Sequence, residues 1–364
     1  MGKTKRESGV ELLRIIIMFQ IIILHLYEYG NLASFVNSRG GFTDIFFDGL
    51  WSLCRMPVDV FMLITGYFLV SSKYDLQKVF GRGKKVYLTM LFYSLVLAAL
   101  YFAVTPEIIT IPKIFKAFMP FFSKEWYFLS IYLIILFLSP FLNIMLQRLD
   151  KKQYLIFTGI VFAVMSLWST LAYVDGLNEV FSINKIVDPY MGKSLGGLLL
   201  LYLIGGYLRR FTEGHDKPQF KYLALFLILC ATDFALYKFV PQYGGKVFGM
   251  FNNPLVIGET ITIFLFFRDL HFYSPAINTI AGTTLGIYAI HENPYMRELI
   301  WKTNFSDKGV FMNLSAPKSY IAAFAYCIAI FVVCCLIDLL RQRLFDGIES
   351  LCKKRKSKKA KDMQ

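Results

Sequence analysis

One apolar stretch near the start of the chain carries side chains that could do acid–base chemistry. Residues 10–29 are long enough to cross a bilayer as a helix, yet they include Glu11, Arg14, His25 and Glu28. Ionisable side chains inside a membrane are energetically costly, so they are candidates for function. Arg14 and His25 are separated by about three helical turns, which predicts that both lie on one helix face, about 16 Å apart along the axis.

A neutral imidazole at the depth of His25 has two chemical uses. It can take a proton from a hydroxyl, or accept an acyl group itself, and then return the proton to the leaving group. Glu11 and Glu28 each lie three residues from a basic side chain, Arg14 and His25 respectively, so each could pair with that neighbour. The alternative is structural, with these side chains only anchoring the two ends of the helix at the membrane interfaces.

The composition predicts an all-α, polytopic helical membrane protein. The chain has 364 residues, of which 56% are hydrophobic, and its mean hydropathy is +0.51. Its apolar runs are near 20 residues long, whereas transmembrane barrels have short alternating segments. The distribution of Lys and Arg predicts about ten spans with both termini in the cytoplasm. The expected spans are about 10–29, 44–71, 86–104, 126–146, 154–174, 194–208, 222–239, 254–267, 276–295 and 320–340.

The net charge of +14 does not indicate a nucleic-acid partner. Lys and Arg concentrate in alternate loops and in the last residues of the chain, as the positive-inside rule requires. We therefore expect one membrane domain, residues 1–345, followed by a basic cytoplasmic tail, residues 346–364, that is attracted to anionic membrane lipids. The six cysteines fall almost entirely in apolar runs and have no metal-type spacing, so we expect neither a metal site nor a disulfide framework.

Other ionisable residues fall inside the expected spans. Arg55 and Asp59 are four residues apart in the second span, around Pro57, and could form an ion pair. Glu259 is an isolated carboxylate of the kind that a proton-coupled transporter uses. His291, near the end of the ninth span, suits an interface anchor as well as a ligand.

A basic loop offers a place for an anionic donor. If a small acyl group passes from acyl-coenzyme A in the cytoplasm to an outer acceptor, the donor phosphates need cations at the inner surface. Arg82 and Lys85, with Lys84 between them, lie in the second inner loop, and Arg14 is expected at the same depth. The competing interpretation is topological, because any inner loop of this chain would be basic.

Several stretches resemble motifs of the acyltransferase family 3 integral membrane proteins, in the same order along the chain. Two departures are visible: Thr65 replaces the serine of a Ser-Gly-Tyr motif, and Lys85 replaces the second arginine of an Arg-x-x-Arg motif. The stretches are Arg14 to His25 (Arg-x10-His), residues 58–69 with the Ser-Gly-Tyr position, residues 82–85 (Arg-x-x-Arg), residues 126–129 (Trp-Tyr-x-Leu) and residues 287–291 (Ile-Tyr-x-x-His).

This resemblance implies a reaction and a set of site residues. The expected reaction transfers an acyl group, usually acetyl, from acetyl-coenzyme A to a hydroxyl of a surface or lipid-linked glycan. His25 would be general base or acyl carrier, Arg14, Arg82 and Lys85 would hold the donor phosphates, and Glu11 would orient Arg14. The expected substrate cavity is formed by Arg55, Asp59, Tyr67, Trp126, Glu259 and His291.

The resemblance also implies a setting. We expect a multi-pass protein of the bacterial cytoplasmic membrane that uses no metal. Some family members carry a fused extracytoplasmic hydrolase-like domain, so this chain either acts alone or works with a separate extracytoplasmic transferase or with polysaccharide assembly proteins. The alternatives are a glycan or small-solute transporter, or flippase, in which Glu259 and His25 are the proton-linked groups, and a structural component of a polysaccharide machine.

Overall fold

The computed structural model describes residues 7–30, 40–106, 109–122, 124–174, 176–181, 192–240, 250–301 and 314–362. Side chains within helices are not described at positions 125, 298, 316, 317 and 351–362. Regular structure in these ranges is entirely helical, so the predicted all-α class is confirmed. The α-helices of six or more residues are α1 Gly9–Tyr29, α2 Gly41–Leu53, α3 Pro57–Leu69, α4 Leu76–Val104, α5 Ile111–Phe118, α6 Tyr127–Arg148, α7 Lys151–Phe162, α8 Leu195–Phe211, α9 Phe220–Phe239, α10 Pro254–Arg268, α11 Pro275–Ala281, α12 Thr284–His291, α13 Met296–Trp301 and α14 Ala316–Asp362. A π-helical turn, Ala163–Trp168, and the short helix Ser169–Leu171 continue α7, and two short 3-10 helices, Pro120–Phe122 and Lys124–Trp126, precede α6.

Seven helical stretches in the described residues are long and apolar enough to cross a bilayer, which indicates a multi-pass membrane protein. Three further predicted spans are present as shorter helices: α8 has 17 residues, α10 has 15, and the ninth span is divided into α11 and α12. The count of about ten crossings and the orientation of the termini stay predictions. The seven stretches are Gly9–Tyr29, Gly41–Leu69, Leu76–Val104, Tyr127–Arg148, Lys151–Leu171, Phe220–Phe239 and Lys318–Ser350.

The second predicted span is interrupted by a break. Helix α2 ends at Leu53 and α3 begins at Pro57. A proline is tolerated in the first helical turn because the N–H it lacks has no partner there. The chain therefore bends before Pro57, and the expected kink within one long helix is replaced by two helices with Arg55 between them.

Helix α1 lies at the centre of the packing. It contacts α2, α3 and the helices from α10 to α14. Its start is fixed by Ser8, whose backbone N–H donates to the Phe272 carbonyl at 2.9 Å. Gly9 follows, and a Cβ there would lie 2.1 Å from the carbonyl oxygen of Leu270. These close contacts fix the position of α1 along its own axis relative to the end of α10, and with it the positions of Arg14 and His25.

Two other close helix contacts surround the site. A Cβ on Gly66 of α3 would lie 2.1 Å from the Tyr202 carbonyl oxygen of α8, so the two backbones touch. A Cβ on Gly286 of α12 would lie 2.0 Å from Oδ1 of Asp338 in α14. Asp338 is fully buried and accepts a hydrogen bond from the Tyr93 hydroxyl at 2.8 Å. Helix α12 is therefore held against α4 and α14, and this sets where its last residues point.

The last helix includes most of the predicted tail. Helix α14 runs for 47 residues from Ala316 to Asp362, so the backbone from position 346 onward continues it. The basic side chains after position 350 lie outside the described residues. Their attraction to membrane lipids stays a prediction.

Candidate active site

The side chain of His25 lies inside the protein, between the ends of three helices. The residue is 7% exposed, and its ring centroid is 5.1 Å from that of His291 and 6.3 Å from that of Trp301. Nδ1 of His25 is 3.1 Å from Nε2 of His291 and 3.1 Å from Oε2 of Glu292. His291 and Glu292, at the end of α12, thus both approach the same ring nitrogen of His25 in α1.

The local sequence explains why α12 ends at this point. His291 is its last residue, Glu292 caps it, and Asn293-Pro294 follows, where a proline prevents the helix from continuing. The indole N–H of Trp301 donates to the His291 carbonyl at 3.3 Å. One of the free carbonyls at the helix end is thereby satisfied inside the protein.

The hydrogen bonds assign the tautomers of both imidazoles. Nδ1 of His291 is 2.6 Å from the carbonyl oxygen of Ile287, which can only accept, so Nδ1 carries the proton. A neutral His291 then presents Nε2 as an acceptor towards His25. Nδ1 of His25 must therefore carry its proton, and its Nε2 is the ring nitrogen with a free lone pair. That nitrogen can act as a base or a nucleophile.

Glu292 connects His25 to an arginine. One carboxylate oxygen faces the imidazole and the other forms an ion pair with Arg297. The guanidinium of Arg297 also lies 4.1 Å from the ring centroid of Tyr29. This order of charges keeps a carboxylate in place beside His25, where it stabilises the imidazolium that forms when Nε2 takes a proton.

A cavity of about 310 Å³ opens beside His25. We call it the His25 cavity. Its volume is within the range of small-molecule sites, about 300–1,000 Å³. Its lining includes three tyrosines and the acidic and basic residues His25, Glu28, Lys124, Lys193, Glu292 and Arg297.

A second cavity, of about 190 Å³, includes Arg14 in its wall, and we call it the Arg14 cavity. Ile21 and Tyr288 line both cavities, so the two adjoin at the level of one turn before His25. Arg14 and His25 thus belong to neighbouring cavities along the same helix. The arrangement suits a reaction with two substrates, one in each cavity, that meet near His25.

The cations expected at the donor side lie near the Arg14 cavity. Nη1 of Arg14 is 3.5 Å from Oε1 of Glu11, which is buried. Arg82 and Lys85 are exposed on the first turns of α4. Arg14 and Arg82 both lie within electrostatic range of Tyr132, a residue of the cavity wall. Two arginines from different helices therefore act on one wall of this cavity.

Comparison with known families identifies the chemistry of this arrangement. A family model described as an acyltransferase domain matches residues 7–339. The chain belongs to the acyltransferase 3 family. It is therefore a membrane acyltransferase, and the predicted family is confirmed. Neither the curated proteins nor the solved structures include a match to this chain.

One predicted contact of the acyltransferase is wrong. Arg55, which is fully buried, does not pair with Asp59, because its guanidinium forms an ion pair with Asp233 of α9. It also donates to the Ser52 hydroxyl at 2.7 Å. The break before Pro57 explains the difference: Arg55 lies outside α3, so the four-residue spacing to Asp59 does not place the two side chains on one helix face.

Four other residues that were expected in the substrate cavity line neither of the two cavities. Asp59 and Glu259 are buried within electrostatic range of each other and line neither cavity. The Tyr67 hydroxyl accepts a hydrogen bond from Arg209 at 3.4 Å, and Trp126 is fully buried. Neither lines a cavity, although Tyr127, next to Trp126, lines the His25 cavity. Of the expected substrate residues, His291 alone directly contacts His25 among the described residues.

The residues that sequence reasoning missed are Glu292, Arg297, Trp301 and Lys193. Glu292 and Arg297 follow directly after the Ile-Tyr-x-x-His stretch, so the signal was a short run of ionisable residues at the end of a span. Lys193 is the last residue of a loop that the sequence distinguishes only by its acidic residues, Asp175, Glu179 and Asp188. No spacing rule relates it to His25, because Lys193 precedes α8 and His25 lies in α1.

Proposed function

We propose that this acyltransferase moves an acetyl group from acetyl-coenzyme A to a hydroxyl of a surface or lipid-linked glycan in the bacterial cytoplasmic membrane. The observation that carries the proposal is the position of His25 in the wall of one cavity, one helical turn from where a second cavity adjoins it, with its Nδ1 atom held between His291 and Glu292. Such a base suits a reaction between two substrates that occupy different cavities.

The donor is assigned to the Arg14 cavity. Its volume of about 190 Å³ suits the narrow pantetheine arm, not the whole of coenzyme A. The phosphates would stay outside with Arg82 and Lys85, which are exposed, and with Arg14. A guanidinium pairs two phosphate oxygens at once, so the arginines contribute most to the affinity. Glu11, 3.5 Å from Arg14, orients its guanidinium.

The acceptor is assigned to the His25 cavity. Nε2 of His25 removes the proton from the acceptor hydroxyl while the oxygen attacks the thioester carbonyl. A new C–O bond forms, the C–S bond breaks, and the thiolate of coenzyme A takes the proton from the imidazolium. Glu292 stabilises that imidazolium between the two proton transfers.

The test measures acetyl esters on the surface glycan of the host. Wild type, a deletion strain, His25→Ala and His215→Ala are compared at equal expression. His215 is exposed and lines neither cavity, so His215→Ala is the matched control. We expect acetyl esters to be lost in the deletion and in His25→Ala and retained in His215→Ala. Normal acetylation in His25→Ala would refute the mechanism.

The same strains test the transporter alternative. In that alternative Glu259 and His25 are the proton-linked groups, but Glu259 lies with Asp59 and lines neither cavity. If the protein were a transporter, His25→Ala would lower the amount of surface glycan and leave the acetylation of the remaining glycan normal. Acyl transfer predicts the opposite, normal amount and lost acetylation.

A further inference from the structure

The His25 cavity contains more cationic side chains than its chemistry with a neutral sugar requires. Lys124, Lys193 and Arg297 line it, together with the carboxylates Glu28 and Glu292. Arg297 and Glu292 already form an ion pair with each other. In the described part of the chain, two lysines and one further carboxylate therefore face the remaining space.

Lys193 is held in position by its neighbours in the chain. Gly192 has φ of +96°, and a Cβ there would lie 2.7 Å from Cβ of Asn252, so the backbone is pressed against that residue. Ser194 caps α8 by accepting a hydrogen bond from the Gly197 N–H at 3.1 Å. The ammonium of Lys193 lies 4.0 Å from the ring centroid of Phe251. The cation is thus fixed at the cavity wall.

Lys193 is half-buried at the cavity wall, where its cation is partly removed from water. Desolvation lowers the pKa of Lys193, and the nearby Glu28 opposes that effect without forming an ion pair in the described residues. A cation in such a place gains from any anion that enters the cavity. Lys124 reaches the same cavity from a separate element, the turn Lys124–Trp126, whose Trp126 is fully buried.

We propose that the His25 cavity binds an acceptor that carries a phosphate group near the hydroxyl to be acylated, with Lys193 and Lys124 as the phosphate ligands. This inference rests on the proposed function, in which the cavity holds the acceptor. The donor does not account for these lysines, because its phosphates are assigned to the Arg14 side, about 16 Å away along α1. Lysines act as point charges towards phosphate and therefore accept it in several orientations.

The experiment uses the full chain in lipid nanodiscs and calorimetric titration with three probes. Farnesyl phosphate represents a lipid-borne phosphate, glucose 1-phosphate represents a phosphate on the glycan, and glucose is the neutral control. We expect at least one phosphate to bind, with affinity about tenfold or more weaker in Lys193→Gln and in Lys124→Gln. Lys193→Arg retains binding, and so does Lys151→Gln, which removes an exposed cation elsewhere.

The outcomes show whether the phosphate belongs to a lipid or to the glycan, and whether the two lysines bind it at all. Binding of farnesyl phosphate alone assigns a lipid-linked acceptor, and binding of glucose 1-phosphate alone assigns a phosphorylated glycan. Equal affinity for glucose and both phosphates, or unchanged phosphate binding in both lysine variants, would overturn the proposal. Lys124 is exposed, so Lys124→Gln keeps the test valid if Lys193→Gln fails to fold.

Release of coenzyme A from acetyl-coenzyme A is measured on the same preparations, with His25→Ala as reference. Phosphate binding through Lys193 without His25-dependent release of coenzyme A would refute the acyltransferase mechanism and leave the anion site standing. His25-dependent release without phosphate binding would refute the anion site and leave the mechanism standing. The two failures therefore give different results.

Discussion

Nδ1 of His25 lies 3.1 Å from Oε2 of Glu292, which places a carboxylate from the end of α12 beside an imidazole of α1. The sequence offered Glu28, three residues away on the same helix, as the acidic neighbour of His25. Glu28 lines the same cavity, so the chain itself provides a matched pair of carboxylates for testing which one acts on the imidazole.

Replacing Glu292 with glutamine is expected to slow acetyl transfer by about 100-fold, because the imidazolium loses its stabilising charge. The KM for acetyl-coenzyme A should stay close to that of wild type, since Glu292 does not line the Arg14 cavity. Steady-state kinetics in nanodiscs measure both quantities, and Glu28→Gln is the control. An equal loss of kcat in the two variants would argue against a specific role for Glu292.

The donor assignment predicts a change in KM. Arg82→Gln is expected to raise the KM for acetyl-coenzyme A by about tenfold, the effect of losing one charge-assisted contact with phosphate. Lys85→Arg should lower KM, because a guanidinium binds phosphate in a bidentate manner. Lys84→Gln removes an exposed charge between the two positions and serves as control. If Lys84→Gln raised KM as much as Arg82→Gln, the loop would act through its overall charge.

The Arg55–Asp233 pair predicts a stability effect. Arg55→Met leaves a buried carboxylate without its cation, which costs about 3–5 kcal/mol, whereas the double variant Arg55→Met with Asp233→Leu should recover most of the loss. Thermal unfolding midpoints, followed by tryptophan fluorescence, measure this. Asp59→Asn is the control, because Asp59 is buried but outside the pair. A cost for Asp59→Asn as large as for Arg55→Met would contradict the observed pairing.

The contact between α3 and α8 predicts a strong dependence on glycine. Gly66→Ala or Gly205→Ala would place a methyl group 2.1 Å from a carbonyl oxygen of the facing helix, so the helices must separate. We expect a loss of about 1–3 kcal/mol and a lower unfolding midpoint. Gly159→Ala in α7 faces open space and should be neutral or stabilising. Unchanged midpoints for Gly66→Ala and Gly205→Ala would show that the two backbones do not touch.

The helical fold could be predicted from the sequence because apolar runs near 20 residues have one main solution in a bilayer. The interruptions were harder to predict. Pro57 signalled a disturbance, but whether it kinks a helix or starts a new one depends on contacts made by Arg55 with α9. The ninth span was expected to be continuous, and it divides before Thr284, so that Gly286 packs against α14.

The candidate site was predicted only in part, for a related reason. Spacing along one helix relates Arg14 to His25, and it also suggested Glu28 as a partner. It does not show which residues of other helices approach His25, because these contacts depend on how α12 ends. For Arg55 and Asp59 the spacing predicted an ion pair that does not form, because the backbone break before Pro57 places Arg55 outside α3.

The wall that Ile21 and Tyr288 form between the two cavities matters for the proton permeability of the membrane. These side chains are 2% and 4% exposed, and they form the shared wall of two cavities that are separate spaces. If the cavities opened into one water-filled passage, the enzyme would conduct protons and dissipate the potential on which the cell depends. A wall made of an aliphatic side chain and a tyrosine instead separates the two spaces, and in the proposed reaction only a thioester arm would have to pass it.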